Sequence, residues 1–262
     1  MDPQRNALLN GCTIRPHGDL PEFYANPATR AQFVSKLFDD TARYYDGISS
    51  AISFGTCKHY RKLALRRAGL VPGMRMLDVA TGTGLVAQAA LTLGIPRTDI
   101  VGLDPSAGML RENQKRHAIP LVQGRGEALP FPDGSFDFVC MGYALRHVED
   151  LTVLFREFHR VLRPGGRILI LEITRPESCF GFAMGRFYLG QVLPLFVRRL
   201  TGNREAGRLL KFYWATIAEC VSPETILGAL ASAGLADVAR RKSYGMLSDY
   251  SAIKGVASAP SC

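Results

Sequence analysis

A chain of 262 residues with 32 Lys and Arg against 23 Asp and Glu carries a formal charge of +9, and 47% of its residues are hydrophobic. At about 150 residues per domain this allows one or two domains, which bury roughly three quarters of their unfolded surface without metals or disulfides. The six cysteines, at 12, 57, 140, 179, 220 and 262, form no Cys-x-x-Cys pair, which argues against a zinc site and a secreted disulfide framework and for reduced thiols.

Residues 1–27 contain Pro, Gly and acids without an apolar run of signal-peptide length. They are expected to be a flexible, loosely attached leader, not an export signal. Residues 28–262 are expected to form a single domain. From 28 to 70 helical spacing prevails, with Phe33, Leu37 and Phe38 on one face and Lys58, Lys62 and Arg66 on another. Two helices with a turn near Asp46 and Gly47 are predicted.

After Pro72-Gly73, short apolar runs at 74–80, 99–104, 120–124, 136–142 and 166–174 alternate with amphipathic stretches at 84–94, 106–117 and 150–162. Strands apolar on both faces, alternating with helices, indicate an α/β fold built on a doubly wound, largely parallel sheet. Residues 71–177 make this core, and residues 178–215 interrupt it with a helical, aromatic and basic insertion. A helix at 223–233 and strands at 236–243 and 249–256 complete a seven-stranded sheet. The apolar stretch 180–200 is broken by Arg186, Gln191, Pro194, Arg198 and Arg199, so a membrane span is not expected.

The segment Asp78-Val-Ala-Thr-Gly-Thr-Gly84 ends the first strand and opens a helix. Glycines there permit a tight turn and bring backbone N–H groups against a ligand. Gly82-x-Gly84-x-x-Ala87 also satisfies a loose dinucleotide fingerprint, so a nicotinamide-dependent oxidoreductase is an alternative. Asp104, about 20 residues further on, suits two ribose hydroxyls. Asp78 within the loop repels a pyrophosphate but attracts a cationic amino-acid or sulfonium ligand, which favours S-adenosylmethionine over NAD.

With LDVATGTG, GLDPSAGML, GEALPFPDGSFD, YALRHVED and HRVLRPGGRILILEIT in order, together with Tyr45-Asp46 and Ser53-Phe54-Gly55, the chain resembles the class I S-adenosylmethionine-dependent methyltransferases. More specifically, it resembles the ubiquinone/menaquinone biosynthesis C-methyltransferase family, from about Phe38 to Lys254. The resemblance implies a Rossmann-like methyltransferase domain whose N-terminal helices and 178–215 insertion form a lid. It implies cofactor contacts at Asp78, Gly82, Thr83 and Gly84 of the loop, Tyr45, and Asp104 on the ribose. Pro105 and Met109 would pack on adenine, Gly126 would offer backbone N–H, and Gly142 would lie beside the sulfonium. Arg125 stands where the family has Asn or Asp, and a guanidinium offers no acceptor to the adenine amino group.

For carbon methylation of a phenol-like ring a general base is useful. Arg146 and His147 follow the fourth strand, and His147 replaces a family Asn. A guanidinium is a poor base, so Arg146 is assigned to holding an anion; the ordinary imidazole pKa suits His147 to proton transfer near neutrality. Tyr60, Tyr143, Arg186, Tyr188 and Trp214 are candidate substrate contacts. No metal ligands are expected.

The expected activity is therefore S-adenosylmethionine-dependent C-methylation of a lipophilic, quinone-precursor-like or polyaromatic small molecule. A methyltransferase acting on a prenyl diphosphate, with cyclisation, is the alternative. Residues 58–67 hold five bases and no acid, and residues 178–215 hold six bases and one acid, so the excess charge is confined to the two expected cover segments. That turns the expectation from nucleic acid toward an anionic or prenylated small substrate, in a cytoplasmic enzyme with peripheral membrane association and homodimerisation left open.

Overall fold

The computed structural model describes residues 13–256 except Ala25, Phe54 and Tyr244, and only the backbone of Pro27 and Ser53. The first part of the leader, Phe54 of the Ser-Phe-Gly motif, Cys12 and Cys262 lie outside the described residues.

Seven strands form one sheet in the order β3-β2-β1-β4-β5-β7-β6: β1 (Met76–Val79), β2 (Ile100–Asp104), β3 (Leu121–Gln123), β4 (Phe136–Gly142), β5 (Leu162–Ile173), β6 (Leu235–Ser243) and β7 (Leu247–Lys254). β7 runs antiparallel to β5 and β6. In β1 every side chain is buried, because both faces are covered. Leu77 and Val79, with Val139 and Met141 of β4, face Leu154, Phe155 and Phe158 of helix α6 (Leu151–Val161). Met76, Phe138 and Cys140 face the opposite layer, with helices α3 (Thr56–Arg67), α4 (Leu85–Leu91) and α9 (Arg204–Ala218). Each buried Phe or Leu contributes about 1.5–3 kcal/mol, which holds the two layers on the sheet. The strand order reverses between β1 and β4, and the carboxyl ends of those strands open a crevice there.

The N-terminal region departs from its expected form. It contains three helices, α1 (Arg30–Thr41), α2 (Tyr45–Ser53) and α3. Asp46 does not mark a turn. It sits in the first turn of α2, where a carboxylate complements the helix dipole, and the break falls at Gly55, whose φ is +76°. Nor is the leader loose from Thr13 onward. Its main chain bonds Leu151 N–H through the Ile14 carbonyl (2.9 Å) and Val221 N–H through that of Pro16 (2.8 Å), and Leu20 and Tyr24 are buried. Composition could not show this, because every partner is distant in sequence.

The Leu-Arg-Pro-Gly-Gly-Arg turn lies inside an irregular β5: Phe136 pairs with Leu162 and Phe138 with Arg167, so the intervening residues bulge. Beyond β5, helices α5 (Ala107–His117) and α10 (Pro223–Ser232) flank the sheet. Helix α7 (Cys179–Phe187), a π-helical turn at Tyr188–Val192 and helix α8 (Leu193–Thr201) run on as one helix. Leu193 N–H bonds the Tyr188 carbonyl five residues back, and this widened turn accommodates Pro194, which has no N–H to donate. Trp214 of α9 packs on Gly185 and Gly190, where a Cβ would lie 2.6 and 3.3 Å from its indole.

Candidate active site

A cavity of about 760 Å³ opens at the carboxyl ends of β1, β2 and β4, within the roughly 300–1,000 Å³ typical of small-molecule sites. One end is built from loop backbone and small residues. Gly82 has φ +55° and a Cβ there would meet no atom within 4 Å, so the glycine leaves the cavity open. Gly142 and Gly126 also line it. A Cβ would lie 2.5 Å from Val86 at Gly142 and 2.6 Å from Leu154 at Gly126, so backbone forms the wall at both.

Asp104 ends β2 with its carboxylate in the cavity wall. Oδ2 accepts from Gly82 N–H and Oδ1 from Ser106 N–H, both at 2.8 Å. Each oxygen keeps further acceptor capacity, which fits a vicinal diol. Burial pushes the carboxyl pKa up to about 7, opposed by those two backbone bonds. Pro105 and Met109 supply an apolar surface beside it. Arg125 lines the rim and is ion-paired with Glu149 at 2.7 Å and Glu127 at 3.8 Å.

Two aspartates on the N-terminal helices tie this end shut. Asp39 Oδ1 accepts from Ser106 Oγ and Gly108 N–H, each at 2.7 Å. Asp46 Oδ1 accepts from Thr83 Oγ1 at 2.5 Å, and its other oxygen pairs with Arg116. Sequence reasoning gave neither aspartate a role. The Tyr45-Asp46 motif was a signal, but the turn reading obscured it.

The other end is aromatic. Phe38, Tyr45, His147 and Tyr213 line it, with Arg30 and Val34. Tyr45 and Tyr213 hydroxyls are 2.7 Å apart. The His147 ring stacks on Phe212 (5.4 Å, 23°) and meets Phe38 and Tyr213 edge-on. Neither of its nitrogens has a hydrogen-bond partner. Burial, then the charges of Arg146, His17 and Arg30, holds its pKa well below the ordinary 6.5. This corrects the near-neutral value expected for it. Arg30 is buried, donating to the Arg146 carbonyl at 3.0 Å and facing His17 Nε2 at 2.9 Å, and burial pushes the His17 pKa down to about 4.

Of the expected cofactor residues, Gly82, Asp104, Pro105, Met109, Arg125, Gly126, Gly142 and Tyr45 meet at this cavity, as do His147 and Tyr143. Tyr143 holds φ +62° at the end of β4, and the Arg61 guanidinium lies 5.2 Å from its ring centroid. Thr83 and Gly84 support the loop from behind; a Cβ on Gly84 would lie 2.4 Å from His117. Asp78 lies beneath the loop, fully buried, accepting from Thr81 Oγ1 at 2.7 Å and Cys140 Sγ at 3.4 Å, and burial raises its pKa to about 6.

Arg146 does not line the cavity. It is fully buried, its Nε 3.1 Å from Glu172 Oε1, and its guanidinium stands 5.3 Å from the Tyr213 ring centroid. A cation at such depth needs an anion beside it, and Glu172 supplies one where a substrate was expected to. Tyr60, also away from the cavity, donates to Asp249 at 2.7 Å. Arg186, Tyr188 and Trp214 lie outside as well; among the described residues Tyr213 alone brings 178–215 to the cavity wall.

The crevice at a strand-order reversal, the Asp104 carboxyl in its wall and the glycine cradle fit a nucleoside ligand, and residues 27–254 match the model of the ubiE/COQ5 methyltransferase family. The chain belongs to that family. It is an S-adenosylmethionine-dependent methyltransferase. The ubiquinone/menaquinone biosynthesis C-methyltransferase UbiE of Geobacter sulfurreducens is 33% identical over 235 residues, covering 87% of this chain and 90% of that one. The demethylmenaquinone methyltransferase of Geobacillus stearothermophilus is 34% identical over 184 residues, covering 68% and 78%. A SAM-dependent methyltransferase from Thermotoga maritima shares the fold at TM-score 0.55 and 21% identity, covering 83% of this chain and 99% of that one. So does the Haemonchus contortus phosphoethanolamine N-methyltransferase 2, solved with S-adenosyl-L-methionine, at TM-score 0.55 and 19% identity, covering 75% and 52%.

Proposed function

We propose that this methyltransferase transfers a methyl group to a ring carbon of a lipophilic, quinol-type acceptor. The observation that carries this reading is the division of one cavity into a nucleoside end, built on Gly82 and Asp104, and an aromatic end, built on Phe38, Tyr45, His147 and Tyr213. S-adenosylmethionine, when bound, supplies an electrophilic methyl group on sulfonium sulfur. The protein's task is then positioning: apolar rings hold a flat acceptor near Gly142, and closure excludes water from the reacting carbon.

A hydrogen bond accepted from the hydroxyl next to the reacting carbon raises the electron density, and so the nucleophilicity, of that carbon. Burial lowers the His147 pKa and favours the neutral imidazole, whose one unprotonated nitrogen accepts that hydrogen bond and takes up the proton released as the ring carbon is methylated. The Tyr45 and Tyr213 hydroxyls, already paired, orient an oxygen of the acceptor. Arg146 acts from behind Tyr213, holding it through its guanidinium face.

The prenyl-diphosphate alternative needs cations in the cavity; the six bases of 178–215 do not line it, and among the described residues Arg30, Lys36 and Arg125 are the cations that do. Incubation with methyl-labelled S-adenosylmethionine and a prenylated demethylquinol, against a prenyl diphosphate, tests the reading. Label on a ring carbon of the quinol product supports it; label on the diphosphate product alone, or on a quinol oxygen, overturns it.

A further inference from the structure

The helix Cys179–Thr201 is long and apolar enough to cross a membrane by length and composition, and only 28% of its most apolar window is buried. Among its buried side chains, Leu189, Leu193 and Val197 recur at four-residue spacing with Pro194 beside them and so hold one side of the helix to the fold. The other side is open. Of the ten exposed large hydrophobics among the described residues, seven belong to this helix, with Phe180 at 78% and Leu200 at 73% exposure. A soluble surface scatters such side chains singly, whereas a contiguous patch marks an interaction site.

The charge on the segment selects the partner. Between Glu177 and Glu205 there is no acidic residue, while Arg186, Arg198, Arg199 and Arg204 are all exposed. Large apolar groups interleaved with arginines, and no acids, are the composition of a helix lying in the headgroup boundary of an anionic bilayer. Spanning is opposed by the way the helix is fastened: Trp214 packs on its Gly185 and Gly190, and Arg186 interrupts its first half. α9, which carries Trp214 to this helix, also carries Tyr213 to the cavity.

We propose that this face docks on an anionic lipid surface, with Phe180, Met184, Phe187 and Leu195 entering the acyl boundary and Arg198 and Arg199 bonding headgroup phosphates. The docking is independent of which acceptor the cavity takes. It is tested by flotation of the full-length protein with vesicles of phosphatidylglycerol and phosphatidylcholine, against phosphatidylcholine alone. The wild type is expected to float with the anionic vesicles and to lose that binding in salt. Phe180→Ser/Phe187→Ser/Leu195→Ser and, separately, Arg198→Glu/Arg199→Glu are expected to weaken it by about tenfold or more. Both variants should keep wild-type affinity for S-adenosylhomocysteine, which shows that they fold. Failure of the wild type to float, or binding equal in wild type and both variants, overturns the proposal. So does sedimentation showing a dimer that either variant dissolves, because the face would then belong to a second copy of the chain.

Discussion

Asp46 of α2 and Thr83 of the glycine loop are joined by a 2.5 Å hydrogen bond, so the N-terminal helices close directly on the glycine loop beside the cavity. Asp46 is also paired with Arg116 of α5, and a third of its side chain is exposed, which moderates the strength of that ion pair. Its part is to fix the loop rather than to touch the ligand. Asp46→Ala is expected to weaken S-adenosylhomocysteine binding about tenfold, or ~1.4 kcal/mol, by calorimetric titration. Thr83→Ser keeps the hydroxyl and is expected to bind as the wild type does. Equal affinity in wild type and Asp46→Ala would show that the loop holds its shape alone.

Asp104 carries a pH signature. Its pKa, raised to about 7 from 3.8 by burial, means that the folded state holds a proton the unfolded state has released. Its contribution to stability is therefore full below about 4 and declines as pH rises through 7. Asp104→Asn removes that decline. The variant's Tm relative to wild type is expected to climb between pH 4 and pH 7, read by thermal denaturation without cofactor. A pH-independent difference would mean that the carboxyl titrates normally.

That Gly82, Asp104, Gly126 and Gly142 share one end of the cavity was legible in the sequence, because the geometry there is local. A strand must end, turn on glycine and begin a helix, and Gly82, Asp104, Gly126 and Gly142 occupy positions that strand ends dictate. The aromatic end was less so. The 3₁₀ turn Leu145–His147 sends adjacent residues to different places, His147 to the cavity and Arg146 to Glu172, and sequence spacing carries no sign of that choice. Trp214 and Tyr60 look like pocket aromatics by type, but their partners, Gly185 and Asp249, come from elements whose packing is set only by the completed fold. Arg30 and Phe38 reach the cavity from α1 by the same tertiary route.

Arg146 and Glu172 form a fully buried pair, with Arg146 Nη1 and Glu172 Oε2 left without partners. Removing one member strands the other's charge. Arg146→Met is expected to lower unfolding free energy by about 3–5 kcal/mol, and Arg146→Met/Glu172→Leu to recover most of it, in urea denaturation. If Arg146 instead held the acceptor, the single variant would keep its stability and raise KM, with no rescue from the second change.

His147 separates a base that titrates near neutrality from one that stays neutral. Burial, with Arg146 and Arg30 beside it, holds its pKa well below 6.5, which favours the neutral imidazole near neutrality. Its ring packs between Phe38 and Phe212, and in the proposed reaction it accepts the acceptor's hydroxyl hydrogen bond and the released proton. His147→Ala is expected to lower kcat by about 10²-fold or more, the scale of a lost proton-transfer group, while leaving S-adenosylhomocysteine affinity within about twofold. His147→Asn restores an acceptor in place of the imidazole and is expected to recover part of the rate. Across pH 6 to 8 the kcat profiles of wild type and His147→Asn should have the same shape. A limb near 6.5 in the wild type that vanishes in the variant would show that the ring titrates after all, and that the bound acceptor lifts its pKa.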